Sequence, residues 1–179
     1  MFLALEPRDE DRVALAAWRD ALVSGRDDLR PSAAQTLHLT LVFLGYRPEK
    51  EIPAIARAAL DAVEELEPAL LRPAGVVPLP RRGPRLFALD LDDEEGRAAA
   101  IQAAASDALA AGRFYRPEKR AWWPHVTLAR VKRGRRAAPL EGDPAPGPLR
   151  APTVTLYRSI LRPQGALYEP LERTELPYG

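Results

Sequence analysis

The chain predicts an α+β fold built mainly from antiparallel sheets, and three observations carry that prediction. Apolar periodicity gives the order strand, helix, strand, helix, strand, strand, helix, strand, strand, strand, without the regular alternation of a doubly wound parallel sheet. No glycine-rich phosphate loop joins a strand to a helix. Two stretches, each placed after a helix, repeat one pattern: Leu37-His38-Leu39-Thr40-Leu41 and Trp123-Pro124-His125-Val126-Thr127-Leu128, which hints at two similar lobes.

In chain order, Phe2 to Leu5 is a short buried strand. Asp9 to Val23 is a helix, with Val13, Leu15, Trp18 and Leu22 at roughly helical spacing and Gly25 closing it. Leu37 to Leu44 is the first motif strand: strict alternation puts Leu37, Leu39, Leu41 and Phe43 on one face and His38, Thr40, Val42 and Leu44 on the other, with Gly45 ending the run. A helix from Lys50 to Glu65 tolerates Pro53 because proline in a first turn has no amide to lose. Strands follow at Gly75 to Leu79 and Arg85 to Leu91. The alanine-rich run from Asp93 to Ala111 is a helix, with Asp93, Glu94 and Glu95 at the end where its dipole favours acids and Gly112 at the other. A basic loop leads to the second motif strand. Lys132 to Pro152, rich in Arg, Gly and Pro, reads as a loop, and Thr153 to Leu161 and Leu167 to Glu175 as a hairpin around Pro163-Gln164-Gly165.

A length of 179 residues suits one domain over residues 1–179, in one compact unit or two small lobes sharing a core. Apolar residues at 46% and charged residues at 28% are ordinary for a globular chain, and the net charge of +1 hides local basic clusters. Those are Arg81, Arg82 and Arg85; Arg113, Arg116, Lys119 and Arg120; and Arg130, Lys132, Arg133, Arg135 and Arg136. Without cysteine there is no disulfide, thiolate nucleophile or cysteine-ligated metal. The opening apolar run is too short for a signal segment and no run approaches a membrane span, so a soluble cytoplasmic protein is expected; a monomer is expected as well. The lack of asparagine and the excess of arginine and proline suit a hot habitat or a GC-rich genome equally.

In a strand, residues i and i+2 share a face about 7 Å apart, so each motif presents an imidazole and a hydroxyl together. One such motif alone is more often a hydrogen-bonded structural histidine. Both histidines of the chain in the same context weigh toward chemistry. Two imidazoles near neutrality divide the work that attack on a phosphodiester needs: one takes a proton from the nucleophile, the other gives one to the departing oxygen. A threonine hydroxyl beside each can donate to a non-bridging phosphate oxygen. Zinc is the competing reading, but two histidines with threonine at i+2 make a thin metal site.

These segments resemble the paired His-x-Thr-x hallmark of the 2H phosphoesterase superfamily. The longer strings HLTLVFLG and PHVTLAR, with the opening FLALE, the PRLFALDL strand and the closing TLYRSILRPQGALYEPL, are similar to the RNA 2′,3′-cyclic phosphodiesterases, historically called 2′-5′ RNA ligases. The resemblance covers essentially the whole chain. It implies a bilobal α+β fold, two mainly antiparallel sheets flanking a central cleft with helices packed outside, and no metal or organic cofactor. It implies hydrolysis of RNA or nucleotide 2′,3′-cyclic phosphates to 2′-phosphomonoesters, with His38 as proton donor to the 3′ oxygen, His125 as proton acceptor from water, and Thr40 and Thr127 holding the phosphate. Ligation of tRNA halves through a 2′-5′ linkage, or non-catalytic binding of RNA ends, are the alternatives.

Arg130 ends the second motif and suits bidentate phosphate binding, although strict alternation puts it opposite His125; only a twist or bulge redirects it, and a surface salt bridge is the other reading. Tyr46, Tyr115, Trp122 and Trp123 lie near the motifs as candidate base-stacking rings, with core packing the better account of Trp123. Pro31 to Thr36 lacks the aromatic usual in the family. The basic clusters between residues 113 and 136 suit an RNA backbone or a solvated surface.

Overall fold

The computed structural model describes residues 1–162 and 165–178. Among the described residues nine strands and three α-helices follow in the order β1 (Phe2–Glu6), α1 (Asp9–Leu22), β2 (Leu29–Pro31), β3 (Leu39–Phe43), α2 (Ile52–Asp61), β4 (Ala69–Leu79), β5 (Leu86–Asp92), α3 (Arg97–Ala111), β6 (His125–Val131), β7 (Leu149–Ala151), β8 (Thr153–Arg162) and β9 (Gly165–Glu175). Every pairing is antiparallel, and the strands run β7-β4-β5-β6-β3-β1-β8-β9 with β2 added beside β6. The two expected sheets are thus joined edge to edge into one curled sheet. The seam is narrow: β3 and β6 share the single pair Leu39–Val126.

The helices pack on the core face. Leu15 and Ala16 of α1, Ile55 and Ala59 of α2, and Ile101, Ala105 and Leu109 of α3 are buried with Leu3, Leu5, Leu39, Leu89 and Val126 from both halves. One core therefore supports both motif strands. The stripe of α1 differs from the expected one. Val13 is exposed, and its place is taken by the buried Arg19, whose guanidinium bonds the Ser32 carbonyl and Asp20. Ser32 Oγ donates to the Thr127 carbonyl at 2.8 Å, so this chain of bonds ties α1 to the second motif strand.

Helix α3 starts at Arg97 rather than Asp93. Asp93 instead lies ahead of the first turn, where its carboxylate accepts the free amides of Ala98 and Ala99 at 3.2 and 2.8 Å. Strand β4 begins six residues before the expected Gly75, because a bulge at Pro73 to Gly75 lets both helix and strand breakers sit inside it. The expected loop from Lys132 to Pro152 contains β7, whose three residues pair with β4 and are too few to show a period. Strands β8 and β9 pair from Thr153–Glu175 onward, and Pro163 and Gln164 of the expected turn lie outside the described residues. No helix among the described residues is long and apolar enough to cross a membrane.

Candidate active site

Leu39 and Val126, paired across the seam, both point into the core and are fully buried. The residues one step away on each strand therefore face the other side of the sheet. These are His38, Thr40, His125 and Thr127, and all four line one cavity of about 480 Å³. A volume of that size suits a nucleotide-sized ligand.

Both motif strands carry a bulge at the same place. On β3, Ala4 pairs with Thr40 and Leu3 with Val42, leaving Leu41 extra; on β6, Ala88 pairs with Thr127 and Phe87 with Ala129, leaving Leu128 extra. Two successive residues then turn inward, Leu41 with Val42 and Leu128 with Ala129, and all four are buried. The following residue emerges on the cavity side. It is Phe43 in one strand and Arg130 in the other, and both line the cavity. Strict alternation is thus corrected: Val42 and Leu44 belong to the core, and Phe43, 64% exposed, belongs to the site. Arg130 stands on the same side as His125, with no carboxylate partner among the described residues.

Each imidazole rests on an aromatic ring and is held by backbone two residues before it. His38 stacks on Phe2 at 5.0 Å, meets the edge of Tyr168 at 5.5 Å, and is hydrogen-bonded to the Thr36 backbone. Its Nε2 lies 3.3 Å from Thr40 Oγ1. Burial pushes its pKa down to about 4; the Thr36 bond and the Glu6 carboxylate oppose the shift, and the charge of His125 adds to it. His125 stacks on Trp123 at 4.2 Å and its Nδ1 lies 2.8 Å from the Trp123 carbonyl. A carbonyl only accepts, so Nδ1 carries the hydrogen and a neutral ring has its lone pair on Nε2. Trp123 is itself fixed by its indole N–H, 2.6 Å from Asp90 Oδ1. It is a platform for His125 rather than the core residue expected.

A second cavity of about 180 Å³ adjoins the first, sharing Thr40, Phe43 and His125 and walled by Tyr115, Trp122 and Trp123. The Trp122 indole N–H donates to the Thr40 carbonyl at 2.9 Å, holding this wall to β3. Tyr46 is 90% exposed and lines neither cavity. Phe2, Phe43 and Tyr168 escaped the sequence reading. For Phe43 a signal was present, the doubled apolar pair Leu41-Val42 that breaks the alternation. Among the described residues no three His, Cys, Asp or Glu side chains are grouped to hold a metal ion.

An antiparallel α+β fold with two histidine–threonine pairs on one cleft face defines a phosphoesterase-like site. The chain belongs to the 2′-5′ RNA ligase superfamily, whose sequence profile matches residues 7–157. Two similar proteins are named RNA 2′,3′-cyclic phosphodiesterase. One, from Aeropyrum pernix, is 29% identical over 163 residues, covering 88% of this chain and 92% of the relative. The other, from Thermus thermophilus, is 32% identical over 182 residues, covering 88% and 84%. The crystal structure of the Thermus thermophilus protein TT0787 superposes with a TM-score of 0.76 at 29% identity, covering 98% of this chain and 96% of that one.

Proposed function

We propose that this protein hydrolyses 2′,3′-cyclic phosphates of RNA ends or nucleotides to 2′-phosphomonoesters, without a metal or organic cofactor. The observation that carries the reading is the convergence of both His-x-Thr pairs on one cavity. The cyclic phosphate sits between the imidazoles. Water attacks phosphorus while His125 Nε2 takes its proton, the bond from phosphorus to the 3′ oxygen breaks, and His38 gives that oxygen a proton. Thr40, Thr127 and the Arg130 guanidinium donate to the non-bridging oxygens, where negative charge accumulates. Phe43 and the aromatic wall of the adjoining cavity offer ring faces to the base.

The low proton affinity of His38 bears on this scheme. In the free protein its ring is neutral at pH 7. A proton donor must be charged, and the bound phosphodiester supplies the compensating anion that burial otherwise denies it. The same observation favours a second reading, in which His38 takes the proton from water and His125 protonates the leaving oxygen while the cyclic phosphate keeps the same sense, so that the 2′ oxygen departs. The two differ in product isomer. The test incubates the protein with 2′,3′-cyclic AMP and with a cyclic-phosphate-ended oligonucleotide in excess chelator. A 2′-phosphate product, with turnover abolished by either His38→Ala or His125→Ala, supports the first reading. A 3′-phosphate supports the second, and full activity in either variant overturns both.

A further inference from the structure

The two imidazoles rest on rings that are held in different ways. Phe2, against His38, is 4% exposed and also packs against Phe43, Tyr157 and Tyr168, so packing alone sets its place. Trp123, against His125, is only half-buried, and His125 is its one ring contact among the described residues. It belongs to residues 112–124, which form neither helix nor strand. Leu91 N–H donates to the Pro124 carbonyl at 3.2 Å, which holds the backbone after Trp123 but leaves the indole free to turn about its own side-chain bonds. What stops the indole from turning is Asp90. Asp90 is paired with His125 across β5 and β6, so both side chains leave the same face of the sheet. Trp123 touches both of them: its indole N–H donates to Asp90 Oδ1 at 2.6 Å, and its ring lies 4.2 Å from the imidazole at 15°. A short bond to a charged acceptor is stronger than one between neutral groups and fixes direction as well as distance.

We propose that Asp90 is a positioning residue for catalysis: through the Trp123 indole it sets the plane of the His125 ring and holds Nε2 where the proton is transferred. The inference rests on the hydrolase reading for the reaction it serves. It holds whichever histidine gives the proton, because both assignments pass through a charged His125, and that charge faces an indole π system that attracts it. Trp123 thereby grips His125 twice, by its backbone carbonyl at Nδ1 and by its ring face. The first grip fixes which nitrogen carries the hydrogen, and the second fixes the tilt of the ring. Only the second depends on Asp90. The Asp90 carboxylate has no ion-pair partner among the described residues, so the indole bond is the contact that accounts for an acid at this place.

The test measures kcat and KM on 2′,3′-cyclic AMP for the full chain, Asp90→Ala, Asp90→Asn, Trp123→Phe and the double variant Asp90→Ala/Trp123→Phe. Nitrogen-15 NMR of the His125 ring at pH 8, assigned by comparison with His38→Gln, is recorded beside it. Asp90→Ala is expected to lower kcat roughly tenfold to a hundredfold while KM stays within about twofold, the pattern of a misaligned proton-transfer group. Asp90→Asn, whose side-chain carbonyl still accepts the indole hydrogen, recovers most of that loss. Trp123→Phe keeps a ring but has no N–H, and adding Asp90→Ala to it costs nothing more, since one bond is lost only once. In the wild type the ring signals show the hydrogen on Nδ1 and a bare Nε2; in Asp90→Ala they move toward the average of two exchanging tautomers as the released ring turns. Unchanged kcat in Asp90→Ala, an Asp90→Asn as impaired as Asp90→Ala, or additive losses in the double variant overturn the proposal. Where Asp90→Ala does not fold, Trp123→Phe removes the same bond, and unaveraged ring signals in that variant overturn it. A wild type that turns over no cyclic phosphate, with ring signals that still average in Asp90→Ala, upholds the positioning of His125 and removes the hydrolase reading.

Discussion

Burial of His38 makes stability depend on pH in a calculable way. Its pKa falls from 6.5 to about 4 on folding, with desolvation the leading cause. A lowered histidine pKa means that between those values the unfolded chain binds the proton and the folded one does not, so stability rises with pH through that window. Above pH 6.5 both states are neutral and there is no penalty. Below pH 4 the penalty is complete, about 3 kcal/mol at about 1.4 kcal/mol per unit. Replacing His38 with Gln removes the titrating group while keeping a polar side chain of similar reach. Urea unfolding followed by tryptophan fluorescence at pH 8, 6, 5 and 4 gives the free energies of both proteins. Carboxylates that titrate in both cancel in the difference. Relative to the variant, the wild type is expected to lose about 3 kcal/mol between pH 8 and 4, most of it between 6.5 and 4. Parallel loss in the two proteins refutes a neutral, desolvated His38.

Three further outcomes follow from the site. Thr40→Val and Thr127→Val each remove one donor to the phosphate without changing side-chain shape, so kcat/KM on 2′,3′-cyclic AMP falls roughly a hundredfold while the urea midpoint holds. Arg130→Lys keeps the charge but loses the planar fork; it lowers kcat/KM, and Arg130→Ala lowers it further, whereas equal activity of wild type and Arg130→Ala contradicts a phosphate contact. Phe43 is 64% exposed, so Phe43→Ala leaves stability within about 0.5 kcal/mol. It raises KM for a nucleotide about tenfold, the order of one lost base–aromatic stack.

The four side chains of the two motifs were legible because their spacing does not depend on tertiary contacts: i and i+2 share a face in any strand. The seam that brings the two strands together was not, since it rests on one pair, Leu39–Val126, between segments far apart in sequence. The bulges explain the largest differences at the site. A single extra residue, Leu41 or Leu128, reverses every later side chain, which moves Phe43 and Arg130 to the cavity and Val42 and Leu44 to the core. Short elements escaped for another reason. Leu29–Pro31 and Leu149–Ala151 have three residues each and are strands only because β6 and β4 offer them an edge. Trp123 read as core from its bulk and apolar neighbours, whereas its indole N–H bond to Asp90 and its stack on His125 are contacts that composition does not reveal.

The proposed reaction is attack by water on a cyclic phosphate with departure of the 3′ oxygen between two imidazoles. Phosphorus NMR of the product formed from 2′,3′-cyclic AMP in oxygen-18 water, with excess chelator, tests it in one spectrum. The result expected is a 2′-phosphomonoester carrying one oxygen-18 atom on phosphorus, formed by the wild type and absent with His125→Ala. A 3′-phosphomonoester, or a product without the label, contradicts it.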